Sequence, residues 1–584
     1  MSGLIRNEMI KMYKSGFVKA AICIILIFCV LIPVGNLIIS NSFDPLYEND
    51  FLEMADREQD EVAKEYYLAN ARIENFFSEN NIAYSDWRYN EFYASLSSIE
   101  MTKTVFELMK KGKTKGEVEN FFMYEDMNAE ISVDESGYVE RSEDNYKNIF
   151  QLTDKEKEEY YGKICKIYSD LKNTIIAYSV SGFYEANIRE LEEQKKEFEA
   201  EKVKNEKELE KLKKIIEASA QNGKEPENRP ADKYIIRSLD EANGNIKAID
   251  IQLEVQQYLL DNKIDYNSWR YRAADIISMA SAIYTDPLMK EDYFHAGNDL
   301  GWRSYEEYCK QMNDNIRTGE SAIKIARYSL EHDIPLPECL EDSERLAFSN
   351  YSSYASVMVS VLMVLIAAIT MYTEYSSGSI RLLLIRPKSR NKILLSKLIT
   401  VILYGLFAAA ASAVILFVLS KLCHTDSDMF IPYLTVTKSG QVKEIPFAVY
   451  MLMKAGLKYL SAFAIVSAAF MISTVFMKGG ILSLLLFSPA VCGASVVASI
   501  SQAINGDFKN ALTYTVLPYL DLSQFIPNPV SSYSGEFTML DLFSETATEY
   551  PELSFTAGAV MITAHIAVFL IISFVCFNKK QIKN

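Results

Sequence analysis

The sequence predicts an all-α integral membrane protein. Six transmembrane helices are expected, with a large, mostly helical extracytoplasmic domain, including a coiled-coil hairpin, between the first two. Three observations carry this. Six stretches without Asp, Glu, Lys or Arg, at residues 20–43, 346–373, 398–420, 459–477, 479–506 and 553–578, are each long enough to cross the roughly 30 Å hydrocarbon core. A buried soluble helix can be wholly apolar, but six in one chain cannot all be that. Residues 44–345, between the first two stretches, are charged and helix-patterned. Lys and Arg cluster on alternate connections.

The first stretch is longer than a signal-peptide core, and no small-residue cleavage pattern follows Pro33 and Gly35. The Lys/Arg bias sets orientation. Arg6, Lys11, Lys14 and Lys19 oppose Glu8 alone. Residues 374–397 carry Arg381, Arg386, Lys388, Arg390, Lys392 and Lys397 against Glu374. Lys478 marks the fourth turn, and Lys579, Lys580 and Lys583 close the chain. An even number of spans puts all four groups on one side, the cytoplasm, with both termini there and the protein multi-pass in the plasma membrane. Segment 421–458 then becomes an outer loop whose Lys454 and Lys458 snorkel at the interface, and 507–552 becomes another.

The net charge of −17 is uneven, since residues 44–345 hold 40 Lys and Arg against 65 Asp and Glu. An acidic outer domain over a basic cytosolic face argues against nucleic-acid binding. It permits steering of cationic ligands, although an acidic surface is usually just a solvated one. Eight cysteines show no metal spacing. A Cys309–Cys339 bridge is allowed and not demanded.

Within residues 44–345 one pattern echoes. Phe76-Phe-Ser-Glu79-Asn80-Asn-Ile82-Ala-Tyr84 precedes Trp87-Arg88-Tyr89. Tyr258-Leu-Leu-Asp261-Asn262-Lys-Ile264-Asp-Tyr266 precedes Trp269-Arg270-Tyr271. Tyr328-Ser-Leu-Glu331-His332-Asp-Ile334 keeps the first half. Each reads as a helix ended by a polar stop and a short apolar return. All three tryptophans precede an arginine, as Trp87-Arg88, Trp269-Arg270 and Trp302-Arg303. Duplication with Trp as a packing anchor is the plainer account; a shared ligand pocket is the sharper one. Residues 188–260 form a separable hairpin. A highly charged first arm is followed by Gly223–Pro230 and then by Ile235, Leu239, Ala242, Ile246, Ile249, Leu253, Gln256 and Leu260, a heptad seam. Each arm reaches on the order of 40 Å.

No enzyme constellation is present, and no metal set. Gly112-Lys113-Thr114 is a fragment of a phosphate loop, but Glu107 stands where its first glycine belongs. His565, inside the last span, is a lone imidazole better read as hydrogen-bonded in a bundle than as a proton carrier. The spans otherwise lack Asp, Glu, Lys and Arg, whereas ion-driven carriers place such groups near the midplane. The energy for any transport therefore comes from outside this chain.

Residues 374–397 carry the positive case. Gly378 suits a sharp turn into a short helix that Ser379 caps. Ile380, Leu382, Leu383 and Leu384 form an apolar knob beside Arg381 and Arg386, and Pro387 ends it. Such a stub docks in a partner's groove or, on the blander reading, lies on anionic lipid. The run Glu374-x3-Gly378-x-Ile380-x2-Leu383-x2-Arg386-Pro387-x-Ser389-Arg390-x4-Leu395-Ser396-Lys397 resembles the coupling segment of ABC type-2 exporter permeases, with Ser379 for the usual threonine. Leu4-Ile-Arg6-Asn-Glu8-Met-Ile-Lys11-Met is similar to that family's amphipathic helix on the cytosolic membrane face. The resemblance covers about residues 1–43 and 346–584. It implies a chain that is not itself an enzyme and binds no cofactor, working with cytosolic ABC ATPases that hold ATP and Mg. It also implies a second six-span permease, identical or not, surrounding membrane lipid, and outward movement of a peptide, lipid or drug-like molecule. The competing expectation is a non-transporting scaffold, secretion accessory or sensor with the same span layout.

Overall fold

The computed structural model describes residues 2–40, 48–84, 86–118, 121–122, 131–133, 139–141, 152–221, 229–285, 305–340, 342–379, 389–476, 482–483, 486–487, 516–533 and 555–579. Expected span 479–506 falls almost wholly outside these. The chain forms two compact units, Phe43–Pro287, and Met1–Ser42 with Leu288–Asn584.

The first unit contains α3 (Glu48–Arg57), α4 (Glu61–Glu79), α5 (Trp87–Lys110), α6 (Lys115–Val118), α7 (Asp154–Ala177), α8 (Val180–Gln221), α9 (Arg229–Asp261) and α10 (Trp269–Ser281). Its core is aromatic and aliphatic, with Ile73, Phe77, Phe92, Leu96, Ile99, Phe106 and Phe183 buried. The repeated pattern is visible as backbone geometry. Asn81, Lys263 and Asp333 have φ of 55°, 49° and 55°. In each case the next residue, an isoleucine, donates its N–H back to a helical carbonyl: Ile82 to Phe77 at 2.9 Å, Ile264 to Leu259 at 3.0 Å, Ile334 to Ser329 at 3.0 Å. This is the left-handed helix stop with its apolar return. The preceding side chain also turns back in all three. Asn80 and Asn262 donate to the carbonyls of Phe76 and Tyr258, and His332 Nδ1 lies 3.1 Å from that of Tyr328.

After the stop, Asp86 and Ser268 cap the next helix, so Trp87 and Trp269 occupy equivalent first positions. Trp87 is buried between Phe183 and Tyr266, at 5.2 and 5.8 Å between ring centroids, and Tyr266 belongs to the second echo. The Tyr266 hydroxyl donates to Glu91 at 2.5 Å. Arg88 pairs with its own cap, Asp86, at 2.8 Å, and Arg270 stacks on its own Trp269 at 4.9 Å. Arg88 and Arg270 thus each meet a residue of their own motif. Trp302 and Arg303 lie outside the described residues. Gly112-Lys113-Thr114 is a helix end: Gly112 has φ +86° and Lys113 pairs with Glu61 at 2.9 Å.

α8 and α9 pack as an antiparallel pair. Lys195 meets Asp250 at 2.6 Å, and Asn205 meets Ser238 at 2.7 Å. On α9 burial drifts off the expected seam. Ala242, Ala248, Ile249, Val255 and Leu259 are buried, whereas Ile246 and Leu253 are half-buried. The cause is a second neighbour, since α10 and the 3₁₀ turn Ala282–Tyr284 lie against the same helix. A Cβ on Gly244 would stand 1.9 Å from the Tyr284 carbonyl oxygen. Gly244→Ala is therefore expected to destabilise this unit by about 1–3 kcal/mol. The result to look for is faster amide exchange across Trp269–Tyr284; unchanged exchange there would refute the contact.

The second unit contains α1 (Ser2–Lys14), α2 (Gly16–Ser40), α11 (Tyr305–His332), α12 (Glu344–Ser376), α13 (Arg390–Cys423), α14 (Phe447–Val475) and α15 (Phe555–Lys579). Five of these, α2 and α12 to α15, are long and apolar enough to cross a membrane. Val18, Ile25, Val359, Ile366, Leu394, Val401, Val466, Phe470 and Phe577 fill one core. Many buried hydroxyls return to their own helix, as Ser360 to Ser356 O, Thr400 to Ser396 O and Thr474 to Phe470 O, while Ser473 crosses to Ala368 O on α12 at 2.8 Å. His565 does the same, its Nδ1 lying 2.8 Å from Met561 O.

Three differences from the sequence expectations stand out. Helix α14 starts at Phe447, so Lys454 and Lys458 lie on it rather than in a loop. The unit boundary falls at Pro287–Leu288, and α11 packs with the membrane unit through Tyr328, which donates to Glu444 at 2.9 Å. The chain is also not wholly helical. β1 (Ile131–Val133) pairs antiparallel with β2 (Val139–Arg141), and β3 (Tyr433–Val436) with β4 (Val442–Ile445), closed by Gly440 at φ +81°. Val, Ile, Thr and Tyr on both sides of Thr437–Gln441 make β3–β4 a hairpin by composition. No disulfide joins Cys309 to Cys339.

Candidate functional site

The functional candidates converge at the end of the bundle that carries the loop between α12 and α13. Helix α12 stops there because Gly378 takes φ +69°, a backbone conformation that residues with a Cβ adopt only at a cost. Nothing lies within 4 Å of a Cβ built on Gly378, so the requirement is conformational and not one of space. Gly378 thus closes α12, and the short helix expected after it lies outside the described residues. The Ser379 hydroxyl sits 2.9 Å from that of Ser377. Ile380, Arg381, Leu383, Arg386 and Pro387 lie outside the described residues. The chain resumes at Ser389, the N-cap of α13, whose side chain makes no capping bond.

Both flanks of the loop are fixed by a buried ionic cluster. Lys397, on α13, is 0 % exposed. Its Nζ donates to Glu374 Oε1 at 2.7 Å, to Glu8 Oε2 at 3.0 Å and to the Thr370 carbonyl at 3.4 Å. Lys11 closes the square from the solvent side, at 3.0 Å from Glu374 Oε1 and 3.2 Å from Glu8 Oε1. Two carboxylates and two ammonium groups therefore join three elements: the end of α12, the start of α13, and α1. Tyr404 adds a fourth tie, its hydroxyl donating to Met9 O at 2.9 Å. Arg390 reaches the other way. Its guanidinium donates to the Asn578 carbonyl at 2.8 Å, and Asn578 donates to Asn391 at 2.5 Å, which binds the start of α13 to the end of α15. Tyr375 donates to Thr474 O at the end of α14. The two flanks of the loop are thus tied to α1, α14 and α15 as well as to each other.

Burial alone would push the Glu8 carboxyl up, but Lys397 and Lys11 outweigh it and hold Glu8 below the usual carboxylate range. Burial would likewise lower the Lys11 ammonium, but Glu374 and Glu8 outweigh it and raise it. The depressed Glu8 stabilises the docked helix at any pH above its unfolded value and loses that effect as pH falls through its folded one. The raised Lys11 stabilises below its unfolded value and loses the effect as pH rises through its folded one. Docking of α1 is therefore expected to be level from about pH 6 to 9, outside both ordinary titration ranges. Tryptic cleavage at Lys11 and Lys14 measures it, and a marked change in cleavage inside that window would contradict the cluster.

The opposite ends of α12 and α13 carry a second set. Asp428, 2 % exposed, accepts from Ser343 Oγ at 2.5 Å and from Arg345 N at 3.0 Å. The Arg345 guanidinium donates to the carbonyls of Ile431 and Pro432 at 2.6 and 2.9 Å, and Lys421 pairs with Glu344 at 3.0 Å. Asp342 contacts His424 and accepts from Thr425 N at 2.8 Å. Burial raises the Asp342 carboxyl, but His424 and Thr425 outweigh it and hold it low.

Sequence reasoning named Glu374, Lys397, Glu8 and Lys11, but in two separate groups. It missed Asp342, Arg345, Lys421, His424 and Asp428 as a set. The available signal was charge sign at the span ends, since Glu374 faces Lys397 across one end of a helical hairpin and Glu344 faces Lys421 across the other.

Residues 184–582 match the profile of a family described as ABC-2 family transporter protein. The chain belongs to that family. It is accordingly a membrane permease component of an ABC transporter, multi-pass in the plasma membrane. The match takes in α9 and most of α8 as well as α12 to α15, further than the loop motif alone reached, and leaves α1 and α2 outside it. The permease is also similar to an uncharacterized protein of Bacillus subtilis (strain 168), YhcI, at 26 % identity over 272 residues, 45 % of this chain and 77 % of that one. No solved structure matches it.

Proposed function

We propose that this permease is the membrane half of an ATP-driven exporter that moves an amphipathic substrate, a peptide, lipid or drug-like molecule, outward. Separate cytosolic ATPase subunits bind ATP and Mg and dock on Ile380, Arg381, Leu383 and Arg386. Two six-span permeases form the pathway, with residues 479–506 expected as the fifth span of each. The Lys/Arg bias supports a cytoplasmic side for both termini and the loop, and an outer side for the acidic helical unit, in which α8 and α9 would form a coiled-coil stalk.

The observation that carries the reading is the cluster of Glu8, Lys11, Glu374 and Lys397. A loop that merely lay on lipid would need no buried bolts on both flanks. A loop that receives a push needs them, because the force must reach several spans without being lost in side-chain motion. Buried networks of hydrogen-bonded charges stiffen the elements they join. Affinity capture of the full chain from its native host, with mass-spectrometric identification of what comes with it, tests the reading. An ABC ATPase is expected with the wild type and is lost with Gly378→Arg and with the double charge reversal Arg381→Glu/Arg386→Glu. Capture of the intact chain without any ATPase would overturn it in favour of a scaffold.

A further inference from the structure

Helix α1 has two faces of opposite use. Glu8, its single acid, is turned into the ionic cluster together with Lys11, and Met12 is buried beside it. Arg6 and Lys14 face outward, followed by Lys19 at the start of α2, where its ammonium lies 4.7 Å from the Tyr13 ring. Arg6 takes part in no ion pair among the described residues. Between these cations an open apolar groove of about 520 Å³ runs along Ile5, Met9, Ile10 and Tyr13 to Tyr404 on α13, with Arg6 at its rim. Tyr13 and Phe17 are 67 % and 55 % exposed. Aromatic side chains left that bare beside unpaired cations are costly in water and well placed at a bilayer interface.

We propose that this groove holds one anionic phospholipid of the surrounding leaflet, its phosphate on Arg6 and an acyl chain along Ile5, Met9 and Tyr13 against Tyr404. The assignment rests on the cytosolic placement of α1 given above and is independent of the ATPase. Charge complementarity favours this occupant, because the outward face of α1 is cationic and its one acid is sequestered. The apolar lining favours a lipid over a free phosphate, which would find one cation, Arg6, and beyond it only the hydroxyls of Ser2 and the two tyrosines. The seat also has a consequence for the cluster. Met9 O accepts from Tyr404, and the adjacent Glu8 accepts from Lys397, so a lipid pressed across Met9 and Tyr404 holds α1 against α13.

The test is intact-complex mass spectrometry of the full chain in detergent, titrated with phosphatidylglycerol or with phosphatidylcholine of the same chains. The wild type is expected to retain the first phosphatidylglycerol about fivefold more strongly, the scale of one basic residue at a membrane surface. Arg6→Ala and Arg6→Gln should bring the two lipids to near parity. Ile5→Trp, which fills the groove, should reduce retention of both, while Lys443→Ala on β4 should leave the preference intact. Parity in the wild type, or a preference surviving Arg6→Ala and Arg6→Gln, would overturn the site. Displacement of the lipid by millimolar inorganic phosphate would also overturn it, by reducing it to a phosphate site. Because no ATPase is present, these failures leave the coupling proposal standing, and a failure of ATPase capture leaves this one standing.

Discussion

Replacing Lys397 with alanine is expected to destabilise the membrane unit by about 3–5 kcal/mol, the scale of removing one partner from a buried ion pair. Lys397 has no exposure to water, and the residues it serves, Glu8 and Glu374, are 3 % and 4 % exposed. Without it two buried carboxylates share Lys11 alone, whose side chain is 44 % exposed. Water cannot fully compensate, and Glu374 Oε2 already has no hydrogen-bond partner. The decisive comparison is the triple variant Glu8→Gln/Glu374→Gln/Lys397→Met. Neutral residues of similar size remove the orphaned charges, and such replacements of buried ionic groups are often neutral for stability. Thermal melting of the purified chain should therefore recover in the triple variant. ATPase stimulation and substrate movement in the reconstituted transporter should stay low, because amides and a thioether no longer lock α1, α12 and α13 together. If activity returned together with stability, the charges would be structural only and the transmission role would be lost.

The reach of sequence reasoning here followed whether a feature depends on neighbours in the chain. The helix stops at Asn81, Lys263 and Asp333 were legible because their hydrogen bonds span only a few residues, and the spans because apolar length is a local property. The family-like segment was legible as Glu374, Gly378 and Lys397, yet their purpose was not. The partner of Lys397 lies at Glu8, across most of the chain, and no periodicity links them. Gly378 closes α12, which the sequence did not say, since a glycine at a boundary does not tell which way the helix runs; the short helix expected after it falls outside the described residues. Lys454 and Lys458 broke an apolar stretch and hid the first turns of α14. The drift of burial along α9 was invisible for a similar reason. A heptad seam foretells one partner, and α9 has a second in α10.

At the other end of the α12–α13 hairpin, Asp428→Ala is expected to cost about 3–5 kcal/mol and Asp428→Asn about 1.5–3 kcal/mol. The carboxylate is the hub. Its two oxygens satisfy the Ser343 hydroxyl and the Arg345 backbone N–H, and the Arg345 Nε lies 3.9 Å away. Alanine removes all of this and leaves a guanidinium that is 4 % exposed with only the Ile431 and Pro432 carbonyls as acceptors. Asparagine keeps one oxygen for the Arg345 N–H but carries no charge, so the loss is partial. The neighbouring pair of Glu344 and Lys421 sets the scale for comparison. Lys421 is 35 % exposed, and its removal should cost about 1 kcal/mol or less through screening, although it spans the same two helices. Amide exchange separates the cases by place as well as size. With Asp428→Ala the hairpin of β3 and β4 should open, because Arg345 anchors the strand approach at Ile431 and Pro432, while exchange around Glu374 should not change. Protection of Tyr433–Ile445 unchanged in that variant would show that the hairpin is held by Tyr328 and Glu444 instead, and that Asp428 serves only the start of α12.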